Sequence, residues 1–161
     1  MLQAASPRMS NSIKALCLGA GLLGSVCAAA AEATVVNDQA ALTKLLGKHN
    51  LTLQWVSWEK AGLATVEDRK GTLYLKGQQT SSENGDKLLV DGVITSVNAR
   101  EFTFKGSIIT QVSYIAEGKA CERNGEFTFT ISGKRQFWRM QQMENPCEAP
   151  TIDYVDLRFN K

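Results

Sequence analysis

Residues 132–147, SGKRQFWRMQQMENPC, combine arginine, aromatic and methionine side chains in one short run. Arginine and large aromatic side chains carry most of the binding energy at protein interfaces, so this run could recognise a partner. Apolar and polar residues also alternate along it, which means that half of them must face a core. The functional question is therefore which half of the run stays outside.

The remaining candidates give little support for catalysis or for metal binding. The single histidine, His49, follows the first predicted helix with no serine motif around it, and we expect it to be a solvated surface residue. Several carboxylates could pair for acid–base work, but no spacing singles out two of them. Two isolated cysteines and one distant histidine do not complete a zinc site. We therefore expect no metal, no cofactor and no enzyme, with a carboxylate-dependent envelope hydrolase ranked last.

Residues 1–33 have the layout of a secretory signal peptide, in which a lysine precedes a short apolar run and a stretch of alanines. The apolar run is shorter than the roughly 20 residues that span a membrane. We expect cleavage after Ala31 or Ala33, with Met9 as an alternative start. Residues 34–161 are then a single β-barrel-like domain, exported to the periplasm or beyond, with no transmembrane segment.

Charge and cysteine content narrow the class of partner. Without the signal segment the chain has 16 basic and 15 acidic residues, which argues against nucleic acid as a partner. Cys121 and Cys147 remain, and an even pair in an oxidising compartment predicts one disulfide bond. A chain of this length builds one core, and we expect a monomer.

One helix and about eight strands must position these residues. Asn37 or Asp38 can cap the helix, and Gly47 can end it. From Leu51 onward, period-two alternation interrupted by turn residues predicts the strands. They are LTLQWVSW, GLATVED, TLYLKGQ, KLLVDGVITSV, EFTFKGSIITQVSYI, GEFTFTIS, RQFWRMQQ and DYVDLRF. The fold is therefore mainly all-β, an antiparallel meander that closes into a lipocalin-like β-barrel or a curled sandwich, with one N-terminal α-helix.

The turn at Gly133 predicts which side chains of the opening run point inward. A two-residue type II′ hairpin there places Phe129 opposite Trp138, and directly opposed residues share a face. Continuing this register brings Cys121 close to Cys147, within reach of a disulfide. Along the strand from residue 101, the same alternation keeps one face inward over its whole length, with Gly106 as the expected bend.

Two binding functions follow, because a barrel of eight strands lies between a filled core and a ligand cavity. In the first, an exported protein holds a small apolar ligand among its inward side chains, Phe102, Phe104, Tyr114, Phe127, Phe129, Trp138 and Met140. In the alternative, a protein-binding inhibitor or envelope accessory factor uses its outward row, Lys134, Arg135, Phe137 and Arg139. A cavity of several hundred Å³ would favour the first, and a filled core with Phe137 exposed would favour the second.

The run SGKRQFWRMQQMENPC followed by DYVDLRF, with LYLKGQQ and DGVITSVN earlier, resembles a family of small uncharacterised exported bacterial proteins. The resemblance covers most of the chain after the signal segment and implies no catalytic residue. The layout is also similar to lipocalin-like barrels and secreted lysozyme inhibitors, but the signature residues of both families are missing.

Peptide mapping without reduction tests the predicted disulfide directly. We expect a peptide that joins Cys121 to Cys147, because the two positions lie near each other across the predicted hairpin. Free thiols at both positions would contradict the pairing.

Overall fold

The computed structural model describes residues 31–159, so the predicted signal segment up to residue 30 lies outside the described residues. A two-residue strand, β1 (Val35–Val36), precedes a helix, α1 (Gln39–Leu45), and a 3₁₀ turn covers Ala116–Gly118. The other strands are β2 (Gly47–Leu53), β3 (Gly62–Arg69), β4 (Thr72–Thr80), β5 (Lys87–Val97), β6 (Glu101–Gln111), β7 (Cys121–Thr130), β8 (Phe137–Met140) and β9 (Val155–Arg158). Within residues 31–159, no helix is long and apolar enough to cross a membrane.

The helix α1 begins at one of the two predicted caps. The side chain of Asp38 accepts a hydrogen bond from the backbone N–H of Ala41 at 2.7 Å, which satisfies one of the free amides of the first turn. Ala41 and Leu45 are buried, so this side of the helix packs on the core. Gly47, at φ +103°, lets the chain turn directly into β2.

The strands β2 to β9 form a closed antiparallel barrel in which each strand pairs with its neighbour in sequence. The barrel closes because β9 returns to β2, with Leu157 opposite Leu51. The short strand β1 adds a parallel pairing at the end of β5. The predicted fold, a mainly β barrel with one N-terminal helix, is confirmed.

Aromatic side chains from β6, β7 and β8 fill the middle of the barrel. The two EFTF segments of the chain pair with each other, which places Phe102 opposite Phe129 and Phe104 opposite Phe127. The rings of Phe102 and Phe129 stack with centroids 4.9 Å apart, and Trp138 meets Phe102 edge-on at 5.7 Å. These close contacts occupy the volume that a ligand inside the barrel would need.

The prediction that Tyr114 faces inward was wrong. The strand β6 ends at Gln111, and the Asp86 side chain accepts a hydrogen bond from the backbone N–H of Ser113 at 2.8 Å, outside the strand pairing. The alternation therefore stops before Tyr114, which is 62% exposed. The other six inward candidates are buried: Phe102, Phe104, Phe127, Phe129, Trp138 and Met140.

The register of the β7–β8 hairpin also differs from the prediction. A turn forms at Gly133, at φ +56°, but Phe129 lies opposite Met140 rather than Trp138. The guanidinium of Arg100 donates to the Gly133 carbonyl at 2.6 Å, so the loop is held outside the ladder. The shift is two residues, and a shift of two keeps every side chain on its face. Trp138 is therefore buried, as the predicted register also required, although that register was wrong by two residues.

Two segments differ from the strand boundaries that the sequence predicts. The strand β7 begins before the predicted strand GEFTFTIS, because residues 122–125, ERNG, also pair with β6, with Gly125 opposite Gly106. Residues 55–58, WVSW, form a turn after β2 has ended at Leu53. Both errors come from reading local composition where pairing between distant strands decides.

His49 is buried, so the expectation of a solvated surface histidine was wrong. Its side chain is 2% exposed because β2 begins at Gly47, earlier than the alternation indicates. Its Nε2 lies 2.7 Å from the Leu45 carbonyl oxygen, and its Nδ1 lies 3.1 Å from that of Arg158. His49 therefore connects the helix to the closing strand β9.

A row of glycines explains how β5, β6 and β7 approach each other. Gly92, Gly106 and Gly125 pair side by side across the three strands. A Cβ atom on Gly106 would lie 2.3 Å from the Asp91 carbonyl oxygen and 2.7 Å from Cζ of Phe104. Close approach of the backbone and of the Phe104 ring therefore requires glycine at Gly106.

Replacing Gly106 by alanine should lower the free energy of unfolding by about 2 kcal/mol, because the new methyl group has no space beside the Asp91 backbone. Urea denaturation of the oxidised protein measures this change. Ser107→Ala, on the opposite face of the same strand, is the control and should have little effect. Equal stability of Gly106→Ala and the unmodified protein would contradict the close approach.

Candidate functional site

The outward side chains of β8 and β9 form the most distinctive surface of the described chain. These two strands pair antiparallel, with Phe137 opposite Arg158 and Arg139 opposite Asp156, so their outward side chains meet. The loop after β2 adds Trp58, which is 45% exposed. We call this surface the arginine–aromatic face and define it by Trp58, Arg135, Phe137, Arg139, Tyr154 and Arg158.

A bidentate ion pair lies under this face. Nε and Nη2 of Arg139 donate to the two carboxylate oxygens of Asp156 at 2.7 and 2.8 Å. Asp156 is on the outward side of β9 and yet has no exposed surface. The hydrogen bonds that Arg139 donates to Asp156 raise the pKa of Arg139 above its ordinary value, although burial acts in the opposite direction. The guanidinium is therefore both charged and fixed in place.

Aromatic rings surround the guanidinium groups. The guanidinium carbon of Arg139 lies 4.1 Å from the ring centroid of Tyr154 and 5.2 Å from that of Phe137. Arg158 lies 5.0 Å from the Phe137 ring and 5.6 Å from the Trp58 ring. Cation–π attraction at these distances holds rings and cations in one layer. The result is a preorganised surface with an excess of positive charge.

The structure brings together three of the four residues of the predicted outward row. Arg135 lies 5.5 Å from the Phe137 ring, and Arg139 contacts the same ring from another side. Lys134 is exposed in the turn before β8. Phe137 is half-buried between the arginines and is still open to solvent.

The sequence analysis did not include four residues that form this site or support it from below, namely Trp58, Tyr154, Asp156 and Arg158. Alternation in DYVDLRF places Tyr154, Asp156 and Arg158 on one face of the predicted strand, which is a signal that the sequence offers. Trp58 gives no such signal, because it lies in a turn that only the closed barrel brings next to β8.

The seven proposed cavity residues do not line a common cavity. Six are packed against each other in the interior, and Tyr114 is outside. The clefts found in residues 31–159 include one of about 490 Å³ that Tyr114 lines together with loop residues at one end of the barrel. The interior itself is a core.

A buried ion pair lies behind that end of the barrel. Nη2 of Arg123 is 3.0 Å from Oδ2 of Asp153, and Asp153 has no exposed surface. Burial raises the pKa of Asp153 and lowers that of Arg123, while each partner's charge opposes the change. Asn145 also donates to Asp153, at 3.1 Å. These contacts join β7 to the loop before β9, so their role is structural.

The disulfide between Cys121 and Cys147 is present, as predicted. It attaches the loop between β8 and β9 to the start of β7, next to the Arg123–Asp153 pair. Among residues 31–159, no three histidine, cysteine, aspartate or glutamate side chains are grouped so that they could hold a metal ion.

Fold and surface together define a small disulfide-linked β-barrel with a filled interior and a cationic aromatic exterior. The chain belongs to the PM1083 family, whose sequence profile matches residues 33–159. A relative, the uncharacterized protein PM1083 of Pasteurella multocida (strain Pm70), is 40% identical over 116 residues, which cover 72% of this chain and 74% of that protein. No solved structure gave a significant match. The predicted family resemblance is confirmed, and it carries no function with it.

Arg139→Met should lower the free energy of unfolding by about 3 kcal/mol, because it leaves the buried Asp156 carboxylate without its bidentate partner. Urea denaturation at neutral pH measures the loss. Arg69→Met is the matched control, since Arg69 pairs with Glu67 at 2.8 Å but both side chains are more than half exposed. That exposed pair should contribute less than about 1 kcal/mol. Equal losses for the two variants would contradict the structural role of the buried pair.

Proposed function

We propose that the protein is an exported, non-enzymatic binding protein that holds a protein partner on its arginine–aromatic face, as an inhibitor or envelope accessory factor. The observation that carries this proposal is the fixed layer of Arg139, Arg158, Phe137 and Trp58. Arginine, tryptophan and tyrosine are the residues enriched where interfaces concentrate their binding energy. A surface whose side chains are already ordered also loses less entropy when it binds.

The filled interior supports this function over an apolar ligand inside the barrel. Phe102, Phe129 and Trp138 are each at most 2% exposed, and the Phe102 ring contacts the other two directly. A ligand of ordinary size needs a cavity of several hundred Å³. Opening one here would separate stacked rings, at the cost of their packing.

The charges of the face favour a partner segment that carries carboxylates. Arg139 already binds Asp156 through two hydrogen bonds, so it serves mainly as a platform for the rings. Arg158 is farther from Asp156, at 3.8 Å, and Arg135 is exposed. These two guanidinium groups keep donors for acidic side chains of a partner, while Phe137 and Trp58 provide apolar contact.

Export is part of the proposal and is supported by two features. The signal-like layout of residues 1–33 directs a chain through the secretory route. The disulfide between Cys121 and Cys147 suits an oxidising compartment.

In-cell photocrosslinking tests this function. A photoreactive phenylalanine analogue at position 137 should crosslink to a protein that the same analogue at Lys76, on the other side of the barrel, does not capture. The captured protein is then purified, and its affinity is measured by calorimetry. Phe137→Ala and Arg158→Ala should each weaken binding about tenfold or more, as expected for central interface residues.

Salt and a control variant distinguish a specific interface from adventitious capture. Affinity should fall as ionic strength rises, because guanidinium–carboxylate contacts are screened. Lys76→Ala should bind as the unmodified protein does. Capture that is equal from positions 137 and 76, or affinity that is unchanged in both interface variants, would refute the proposed face.

A further inference from the structure

A second site lies at one end of the barrel, where the loops after β2, β6 and β8 meet. Even-numbered strands of this meander end on the same side, so these loops are neighbours in space although they are distant in sequence. They line a solvent-open cleft of about 490 Å³, which is within the size range of small-molecule sites. The residues that line this end cleft are Gln54, Trp55, Tyr114, Ile115, Glu148, Pro150, Thr151, Ile152 and Tyr154.

Three side chains tie the loops together in pairs. Gln54 donates to the Ile152 carbonyl at 2.6 Å and accepts from the Tyr154 backbone N–H at 2.7 Å. The hydroxyl of Tyr114 donates to the Trp55 carbonyl at 3.1 Å. The Glu148 carboxylate accepts a hydrogen bond from the Ala116 backbone N–H, which joins the third pair of loops. Each wall of the cleft is therefore fixed to the other two.

Buried contacts support the same walls from behind. The indole N–H of Trp55 donates to Asp153 at 3.1 Å, and Asp153 is paired with Arg123. The disulfide from Cys121 to Cys147 fixes the loop that carries Glu148. A cleft held at this many points exists before a ligand arrives, and a preformed site loses less free energy to ordering.

The lining defines the chemistry of the ligand. Trp55 and Tyr114 present two rings edge to face, with centroids 6.4 Å apart. Isoleucine and proline side chains complete an apolar wall, and Glu148 is the one charged side chain in the lining. Aromatic rings with one carboxylate attract a cation that has an apolar body.

Positive charge near the cleft does not cancel the negative charge of Glu148. Arg139 lies 4.1 Å from the Tyr154 ring, but its charge is matched by the bidentate contact with Asp156. Behind the wall, Arg123 is likewise paired with Asp153. From these contacts we infer that the end cleft is a binding site for a small organic cation, with an apolar body against Trp55 and Tyr114 and its charge near Glu148.

Titration by NMR with benzyltrimethylammonium tests this site. We expect saturable shifts of the Trp55 indole N–H and the Ala116 amide at millimolar concentrations. The uncharged carbon isostere neopentylbenzene should bind at least about fivefold more weakly, because it lacks the attraction to the rings and to Glu148. Absence of saturable shifts, or equal affinity for the two probes, would overturn the inference.

Glu148→Gln removes the charge of the side chain but keeps an oxygen that can accept the hydrogen bond from the Ala116 backbone N–H. It should weaken benzyltrimethylammonium about fivefold and leave the neutral isostere unchanged. Glu122→Gln, on the exposed side of β7, is the control and should change neither affinity. Tyr114→Ala removes one ring and should weaken both probes. Unchanged affinity of the cation for Glu148→Gln would overturn the assignment.

Phe137 and Arg158 lie outside this cleft, so failure of the cation-binding test leaves the proposal for the arginine–aromatic face untouched.

Discussion

The bidentate contact between Arg139 and Asp156 constrains the side of the barrel that β8 and β9 form. A fully buried carboxylate on the outward side of a strand costs several kcal/mol unless a partner neutralises it. Arg139 supplies that charge only if β8 and β9 keep their register, in which the two residues are directly opposed. The rings of Tyr154, Phe137 and Trp58 then cover the pair and exclude water. Strand register, ring packing and surface charge on this side all depend on one ion pair.

The filled barrel leaves its outside and its end as the places for the proposed recognition. The core ring of Phe102 packs against both Phe129 and Trp138, so the interior contributes stability rather than a cavity. Two ordered surfaces of the described chain that are open to solvent carry the proposals. One is a cationic face on paired strands, and the other is an apolar cleft with a single carboxylate. The two proposals therefore require partners of opposite charge on one small scaffold.

Much of the fold and part of the site could be predicted from the alternation of apolar and polar residues along the strands. Inward and outward assignments were right for Trp138, Phe137 and Arg139 although the hairpin register was wrong by two, because faces repeat every two residues. Alternation failed at Tyr114, where a side-chain contact from Asp86 lies beyond the end of the strand. It also failed at His49, since its burial depends on a helix and a last strand that pack on it from distant parts of the chain.

The sequence by itself determined the strand order, the capped helix, the disulfide pair and the side of β8 that faces solvent. These features depend on local periodicity and on residue types that act over a few positions. Only the tertiary structure decided that the core is filled, that Trp58 joins the arginines and that three loops line a cleft. Such contacts join residues that are distant in the chain, and barrel closure fixes their distances. Alternation is compatible with a closed barrel and with a curled sandwich, and the pairing of β9 with β2 decided between them because it joins the two ends of the sheet.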